Sequence, residues 1–506
     1  MSINDKAIQK GPAADIGQTW SDAAAAKHHI EQFFLGRLNF EKKTTNDYND
    51  QTFRRRPLLW LLERMGNPQN SYPVVHVAGT KGKGSVATMV QQILLATDCH
   101  CALYTSPHIV DLRERFNVAG QPVSDAQICV AIDQMQSAVA EVDAKSQAES
   151  DFGTLTFFDL CTAAAFMIFR NCGAQFAVVE VGLGGRLDST NVVQPEVAVI
   201  TSISFDHMAQ LGNTLTAIAG EKAGIIKPGV RVVSGVLNPE ARKVILERAA
   251  EMGCMVLQLD REVRILPGEG HSDSFKVQVN ASEQQIAEEF SALRLVMIGS
   301  HQRQNAAVAL AVVSVLRQRG WKIGDQAVRD GLAKATLPGR IECVGRDPIV
   351  VLDAAHNPAS FAALVSTLES CFPDPTAPGS LAETSVTGGL PNAAADQDLG
   401  LPGRKKILVF AVSKDKDFEN LLRQAVTYFD RIILTCFLNN PRAASILEMQ
   451  QVLNGVTDRL RPVEIVSQAS PSAAFSTAIQ GASRQDLVVV AGSVFLLAEI
   501  GSLPKA

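Results

Sequence analysis

Short apolar runs rich in β-branched residues punctuate the chain, and each ends in a glycine-rich or polar turn. The first four span residues 74–78, 101–105, 176–181 and 197–203. Such runs, with no alternation of polar positions, predict strands buried on both faces, as in a parallel sheet. Behind the first, Val86, Met89, Val90, Ile93 and Leu94 recur at helical spacing, which predicts an amphipathic helix after the turn. Residues 155–169 repeat that pattern with many aromatics, which are more often core than ligand platform. Upstream of the first strand, IEQFFLGRL and RRPLLWLLERMG also read as helices. Residues 231–300 give strand–helix–strand patterns with a polar hairpin stretch, PGEGHSDS, and a long helix over 306–319 opens at His301–Asn305.

Pro338-Gly339 breaks the helix that ends at Ala335, and a domain boundary falls there. Beyond it the runs 349–355, 406–412, 431–437 and 487–493 alternate with helical patterns, the sign of a mostly parallel, doubly wound sheet. The expected fold is therefore two-domain α/β. A parallel-sheet domain over 1–335 is followed by a smaller, Rossmann-like domain over 336–506. Residues 1–22 read as a frayed terminus. Residues 372–404, rich in Pro, Gly, Ala and acidic groups without periodicity, read as a disordered surface insertion.

Composition narrows the class. A net charge of −5 over 506 residues, with no long basic run, suggests neither a nucleic-acid surface nor an anionic-membrane surface. No apolar run approaches the roughly 18–20 residues of a spanning helix. The N-terminal stretch MSINDKAIQKGPAADIGQ has no apolar core and is not Arg-rich, so a cytoplasmic protein is expected. The nine cysteines are odd in number and form no C-x-x-C pair, which fits reduced thiols. Cys99 and Cys101 are too isolated to suggest zinc.

The turn after the first strand reads Gly79-Thr80-Lys81-Gly82-Lys83-Gly84-Ser85. Strand, glycine-rich turn and helix together make a phosphate cradle. Glycines let the backbone approach, the helix N-terminus offers unpaired N–H groups, and the Lys adds a point charge. Ser85 is placed to reach a phosphate-bound Mg²⁺. The stretch departs from the strict G-x-x-x-x-G-K-[ST] pattern at Val77 and Gly84, and a glycine-rich turn alone is often only a tight connection. Glu180 ends another strand, where open α/β sheets bind ligands. Buried without a partner it would cost several kcal/mol, and a metal ion is its natural partner. His207 follows a third strand end. A lone His is usually structural.

The short loop G-T-x-G-K-G-S resembles that of the Mur-ligase superfamily of ATP-dependent amide-forming enzymes. HVAGTKGKGSV, YTSPH with ERFNVAG, LTFFD, EVGLGGRLDSTN, DHMAQLG with EKAGIIK, HQRQN and DAAHNP resemble in order the blocks of its folylpolyglutamate synthase/dihydrofolate synthase family. That resemblance covers residues 30–500 apart from the insertion. It implies ATP held by the Gly79–Ser85 loop, Asn305, Arg340 and Asp353, with His356 near the transferred phosphate. It implies two Mg²⁺ ions about Ser85, Glu180, His207 and Lys222, with Lys222 carrying a carbamate. It places Ser106, His108, Arg115, Phe157 and Phe158 near a folate or pteroate substrate, and Lys414 and Asp417 near L-glutamate. Lys83 would offset charge on the phosphoryl group. The implied enzyme is a monomer with its ATP between two domains, one binding nucleotide and folate and the other a glutamate-ligase domain. The sequence departs from the family at Ala354, where the family has Gly, and at Asp159, where it has Glu, which leaves a polar role for Asp159 open.

Three other readings stand beside this one. Another Mur-type ligase could act on peptidoglycan precursors or cyanophycin-like polymers, but the YTSPH loop and LTFF helix argue against it. A nucleotide-binding switch without ligase activity is opposed by the HNP block. A degenerate binding protein is opposed by the charged site positions, filled as in the family except at Asp159. One site can serve both dihydrofolate synthesis and polyglutamate extension, so the sequence does not separate them. Because loop-closure cost changes slowly with length, replacing residues 375–400 by a short Gly-Ser linker is expected to leave ligase turnover within a few-fold of the parent in steady-state assays. Loss of activity in a folded deletion would make the segment a functional lid.

Overall fold

Uninterrupted apolar runs do become strands sealed on both faces. In a computed structural model of the chain, described over residues 20, 22–41, 49, 55–268, 274–280, 287–373, 403–438, 440–457 and 462–501, every residue of Val74–Ala78 (β1) is buried. Nearly all of the expected frayed terminus and of the 372–404 insertion lies outside the described residues. The chain divides into two units. The first runs to Ala335 apart from a short stretch, Met297–His301, that groups with the second; the second continues from Thr336.

In the first unit β1 lies near the centre of an eight-stranded sheet. The other strands are Cys101–Tyr104 (β2), Phe116–Val118 (β3), Gln121–Pro122 (β4), Phe176–Glu180 (β5), Val197–Ile200 (β6), Arg231–Ser234 (β7) and Val256–Gln258 (β8). Their order is β4-β3-β2-β5-β1-β6-β7-β8. From β2 to β8 all neighbours are parallel. The edge departs from the parallel expectation, because β3 and β4 turn back antiparallel. Side chains alternate faces along a strand, so Val74, His76 and Ala78 share one face of β1. Val74 joins a core with the helix Phe157–Asn171, and Ala78 joins one with the helices Leu215–Ala223 and Pro239–Glu251. A separate antiparallel sheet holds Val263–Pro267 (β9), Phe275–Val279 (β10) and Glu288–Leu293 (β11).

The second unit carries Glu342–Arg346 (β12), Ile349–Leu352 (β13), Lys406–Phe410 (β14), Arg431–Leu434 (β15), Glu464–Ser467 (β16) and Leu487–Ala491 (β17). Their order is β12-β13-β17-β14-β15-β16, with only β12 antiparallel. Its strands, too, end two or three residues before their apolar runs do, which leaves Asp353-Ala354-Ala355-His356 as a loop at the carboxyl end of β13. Among the described residues no helix is long and apolar enough to cross a membrane.

Helix starts follow their caps. Thr156 and Asp159 form a reciprocal box at the head of Phe157–Asn171: the Asp159 N–H donates to Thr156 Oγ1 at 3.1 Å, and the Thr156 N–H donates to Asp159 Oδ2 at 2.9 Å. Asp159 also accepts the Ser189 hydroxyl at 2.7 Å. Burial raises its pKa, against those bonds. The shorter carboxylate thus has a structural role, tying the helix head to the turn Ser189–Val192. Asp159→Ala should cost about 1–3 kcal/mol of unfolding free energy, read by urea denaturation, and Asp159→Glu should recover most of it.

Candidate active site

The backbone past β1 folds over the residues that follow β6. The Thr80 N–H donates to the Ser202 carbonyl at 2.7 Å, the Lys81 N–H donates to Ser202 Oγ at 3.1 Å, and Thr201 Oγ1 donates to the Lys81 carbonyl at 2.6 Å. The Ser204 N–H closes on Thr80 Oγ1 at 3.1 Å. The apolar run 197–203 therefore stops being strand at Ile200, and its end becomes the platform of the glycine loop. Two glycines are steric necessities. A Cβ on Gly79 would sit 1.9 Å from Thr201 Oγ1. At Gly82, whose φ is +81°, it would sit 2.3 Å from Asn305 Oδ1. Asn305 is thus seated on the loop, its Nδ2 donating to Gln302 Oε1 at 2.9 Å. Ser85 lies buried in the first turn of the helix Lys83–Leu95.

Gly79 presents its carbonyl to two lysines: Lys83 Nζ at 3.2 Å and Lys222 Nζ at 2.9 Å. Lys222 is almost fully enclosed. Burial, and then the nearby Lys83 charge, push its pKa down to about 7, against the opposing pull of Asp206, Asp188 and Glu221. Glu180, buried at the end of β5, lies in register with Val77. Neighbouring strands β5, β1 and β6 therefore deliver Glu180, the loop and the 201–208 segment to the carboxyl end of the sheet. His207 adopts a left-handed φ of 50° ahead of the short helix Met208–Leu211, and its imidazole is half-exposed, Nε2 lying 3.9 Å from Asp206 Oδ1. Among the described residues no three His, Cys, Asp or Glu side chains group as a metal cage. The expected ligand set holds only two of those types, Glu180 and His207, with Ser85 and Lys222 completing it.

The EVGLGGRLDSTN and EKAGIIK segments form one body. Gly224 leaves no room for a side chain against Arg186, where a Cβ would come within 2.4 Å of the Arg186 Cβ. The Arg186 N–H donates to the Glu221 carbonyl at 2.8 Å while its guanidinium donates to Glu221 Oε1. Asn191 Nδ2 bridges the carbonyls of Arg186 and Gly224, both at 3.1 Å. Lys227 Nζ caps the carbonyls of Asn191 and Val193.

On the other side of β5, the loop carrying Ser106 and His108 is braced by its own charges. Glu114 accepts the N–H groups of Ile109, Val110 and Asp111 at 2.6–2.8 Å. Arg115 is fully buried. Its guanidinium donates twice to Glu41, at 2.9 and 2.6 Å, and once to His108 Nδ1 at 2.8 Å. Sequence spacing gives no sign of Glu41. Arg115 is therefore a clamp within the protein, and the His108 proton sits on Nε2. Burial and then Arg115 hold the His108 pKa down to about 4. Of the two aromatic candidates, Phe157 is core, edge-on to Phe34 at 6.0 Å. Phe158 is half-buried, and its ring covers Gly182, where a Cβ would meet it at 2.5 Å.

In the second unit, Asp353 accepts the N–H groups of Ile341 and Ala355, both at 2.8 Å. Burial raises its pKa while the Arg340 charge opposes, so these two expected residues do lie near each other. His356 Nδ1 donates to the Ala354 carbonyl at 2.8 Å. Asp417 caps the helix Phe418–Tyr428, accepting from the Asn420 N–H, and Lys414 is exposed.

Family models for the Mur ligase middle domain and the Mur ligase, glutamate ligase domain match residues 77–313 and 392–494, so this fold and loop define an ATP-dependent ligase of Mur type. The dihydrofolate synthase/folylpolyglutamate synthase of Bacillus subtilis (strain 168) is 35% identical over 390 residues, 76% of this chain and 81% of that protein. The folylpolyglutamate synthase of Mycobacterium tuberculosis, solved in complex with ADP, matches with a TM-score of 0.77 at 30% identity, covering 95% of this chain and 98% of that one. An Escherichia coli FolC structure in complex with DHPP and ADP matches with a TM-score of 0.72 at 27% identity, covering 91% and 95%. The chain belongs to the folylpolyglutamate synthase/dihydrofolate synthase family.

The depressed His108 pKa sets a pH dependence. Between about 4 and the ordinary 6.5 the unfolded chain binds a proton that the folded one refuses, so stability falls as pH is lowered through that window and levels off below it. His108→Gln should flatten the fall by on the order of 2 kcal/mol, measured as the difference between wild-type and variant denaturation curves at pH 7 and pH 4.

Proposed function

We propose that the chain joins L-glutamate to the carboxylate of a pteroate or folate substrate at the expense of ATP. The observation that carries this reading is the Gly79–Ser85 loop, closed onto residues 201–204 with Lys83 and Lys222 on one carbonyl, beside Glu180. ADP in the M. tuberculosis relative supports a nucleotide here. The loop's N–H groups, the helix start at Lys83 and the Lys83 ammonium would hold the phosphates. Asn305, seated against Gly82, would lie on the base side, and Arg340 and Asp353 are further proposed nucleotide contacts.

The substrate carboxylate attacks the γ-phosphorus, ADP leaves, and an acyl phosphate results. The amine of glutamate then attacks the acyl carbon and inorganic phosphate departs with the C–O electron pair. Positioning dominates the first step. The Nδ1–H bond to the Ala354 carbonyl would hold the His356 ring in place near the phosphoryl group. Lys414 and Asp417 would contact glutamate; Ser106, His108 and Phe158 would face the pteroate end, with Arg115 holding His108 in place.

Mg²⁺ takes oxygen ligands, and Ser85 and the Glu180 carboxylate fit that demand, with His207 as a nitrogen donor. When bound, the ions would neutralise charge on the transferring phosphoryl group. An amine at Lys222 fits only after CO₂ addition, and its pKa near 7 leaves the neutral amine that this addition needs. A cytoplasmic monomer acting on small molecules completes the reading.

The test is glutamate-dependent ADP release with dihydropteroate and, separately, with tetrahydrofolate. Release with either one supports the ligase reading, and the pair separates the two activities. Release with neither removes it. Lys222→Ala should lose turnover by orders of magnitude and recover part of it with added short carboxylic acids; full activity without rescue would remove the carbamate.

A further inference from the structure

His76 is the middle residue of β1, fully buried, three positions before the glycine loop. Its Nε2 lies 2.9 Å from Thr190 Oγ1. Thr190 Oγ1 lies 2.5 Å from Asp188 Oδ1, which also accepts the Thr190 N–H at 2.9 Å. Asp188 Oδ2 accepts the N–H of Leu183, also at 2.9 Å. Thr190, Asp188 and His76 are all buried.

A proton count orders this chain. A hydroxyl has one proton, and at 2.5 Å from a carboxylate that proton points at Asp188. Thr190 Oγ1 must then accept, so the donor is His76 Nε2–H. His76 Nδ1 is left without a hydrogen-bond partner among the described residues. A protonated ring would carry a second N–H there with nothing to receive it. Burial, and then the charge of Lys227, accordingly push its pKa down to about 3.

The chain ends on the turn that matters most to the site. His76 is paired with Val179 and Val77 with Glu180, so β1 and β5 finish side by side. The segment after Glu180 turns through Gly182–Asp188, and the Leu183 N–H and the Asp188 carboxylate close that turn. We propose that His76 is a positioning residue, its Nε2–H fixing, through Thr190 and Asp188, the turn behind Glu180 relative to the phosphate loop. A Phe or Leu would fill the same volume but leave Thr190 Oγ1 without a donor in a sealed site. The consequence for metal use rests on the proposed role of Glu180; the tautomer and the coupling do not.

Two measurements test it. In metal-free wild-type protein labelled with ¹⁵N-histidine, the resonance lost in a folded His76→Gln should show a protonated Nε2 and a bare Nδ1 from pH 5 to 8; an Nδ1–H tautomer overturns the proposal. His76→Phe and Thr190→Val should each raise the Mg²⁺ concentration for half-maximal ligase activity about tenfold. The double variant should be no worse than either, and His76→Gln, which keeps a donor near the Nε2 position, should restore the wild-type requirement. Additive effects, or an unchanged requirement in His76→Phe, overturn it. If Glu180→Gln leaves the Mg²⁺ requirement unchanged, the metal reading fails while the tautomer and the non-additivity still decide the relay.

Discussion

One carbonyl oxygen, that of Gly79, receives both Lys83 and Lys222. Two ammonium groups on one acceptor repel each other, and burial makes the repulsion harder to screen. One of the pair must yield its proton more easily. The structure makes that one Lys222, enclosed behind the loop, while Lys83 lies at the loop's open side as the first residue of its helix. Two chemically identical side chains thereby acquire different surroundings: Lys83 is partly exposed beside the glycine loop, and Lys222 is enclosed with its pKa lowered to about 7. The platform of residues 201–204 and the packing of Gly79 against Thr201 exist to hold that carbonyl in place.

Around it, segments far apart in sequence share backbone groups so closely that neither can shift alone. Arg186 and Glu221 exchange main-chain and side-chain bonds, and Asn191 holds both sides. Phe158 over Gly182 carries the linkage to the helix Phe157–Asn171. A movement near the glycine loop therefore has a mechanical route to Phe158, made of packed atoms rather than of any single bond.

The strands and the glycine loop were legible because parallel strands buried on both faces leave unbroken apolar runs, and because phosphate cradles require glycines at fixed places. The helix Asp125–Ala148, the longest among the described elements, left little trace, since its Ala, Gln and Ser positions blur the apolar stripe. The antiparallel edge strands β3, β4 and β12 were equally hidden, being short or half-polar. Motif matching located Arg115 but not its occupation: Glu41 lies 74 residues away, and no local pattern links the two. Asp188 and Thr190 stood inside a quoted motif, yet only the fold shows that His76 lies beneath them.

The Mur ligase middle domain model begins at residue 77, but the domain does not. Arg37 forks onto Asp143, the Leu38 carbonyl accepts the Phe157 N–H, and Glu41 neutralises Arg115. Ahead of them, Ala26, Ile30 and Phe34 of the first helix lie in the same core as the helix Phe157–Asn171. A fragment trimmed to the region shared across the superfamily would bare an interior guanidinium and open that core. The folded unit therefore includes the first helix with its cap Asp22 and Trp20 ahead of it, which packs on the same core and donates to Asp133, and sequence kinship understates how much chain this unit needs.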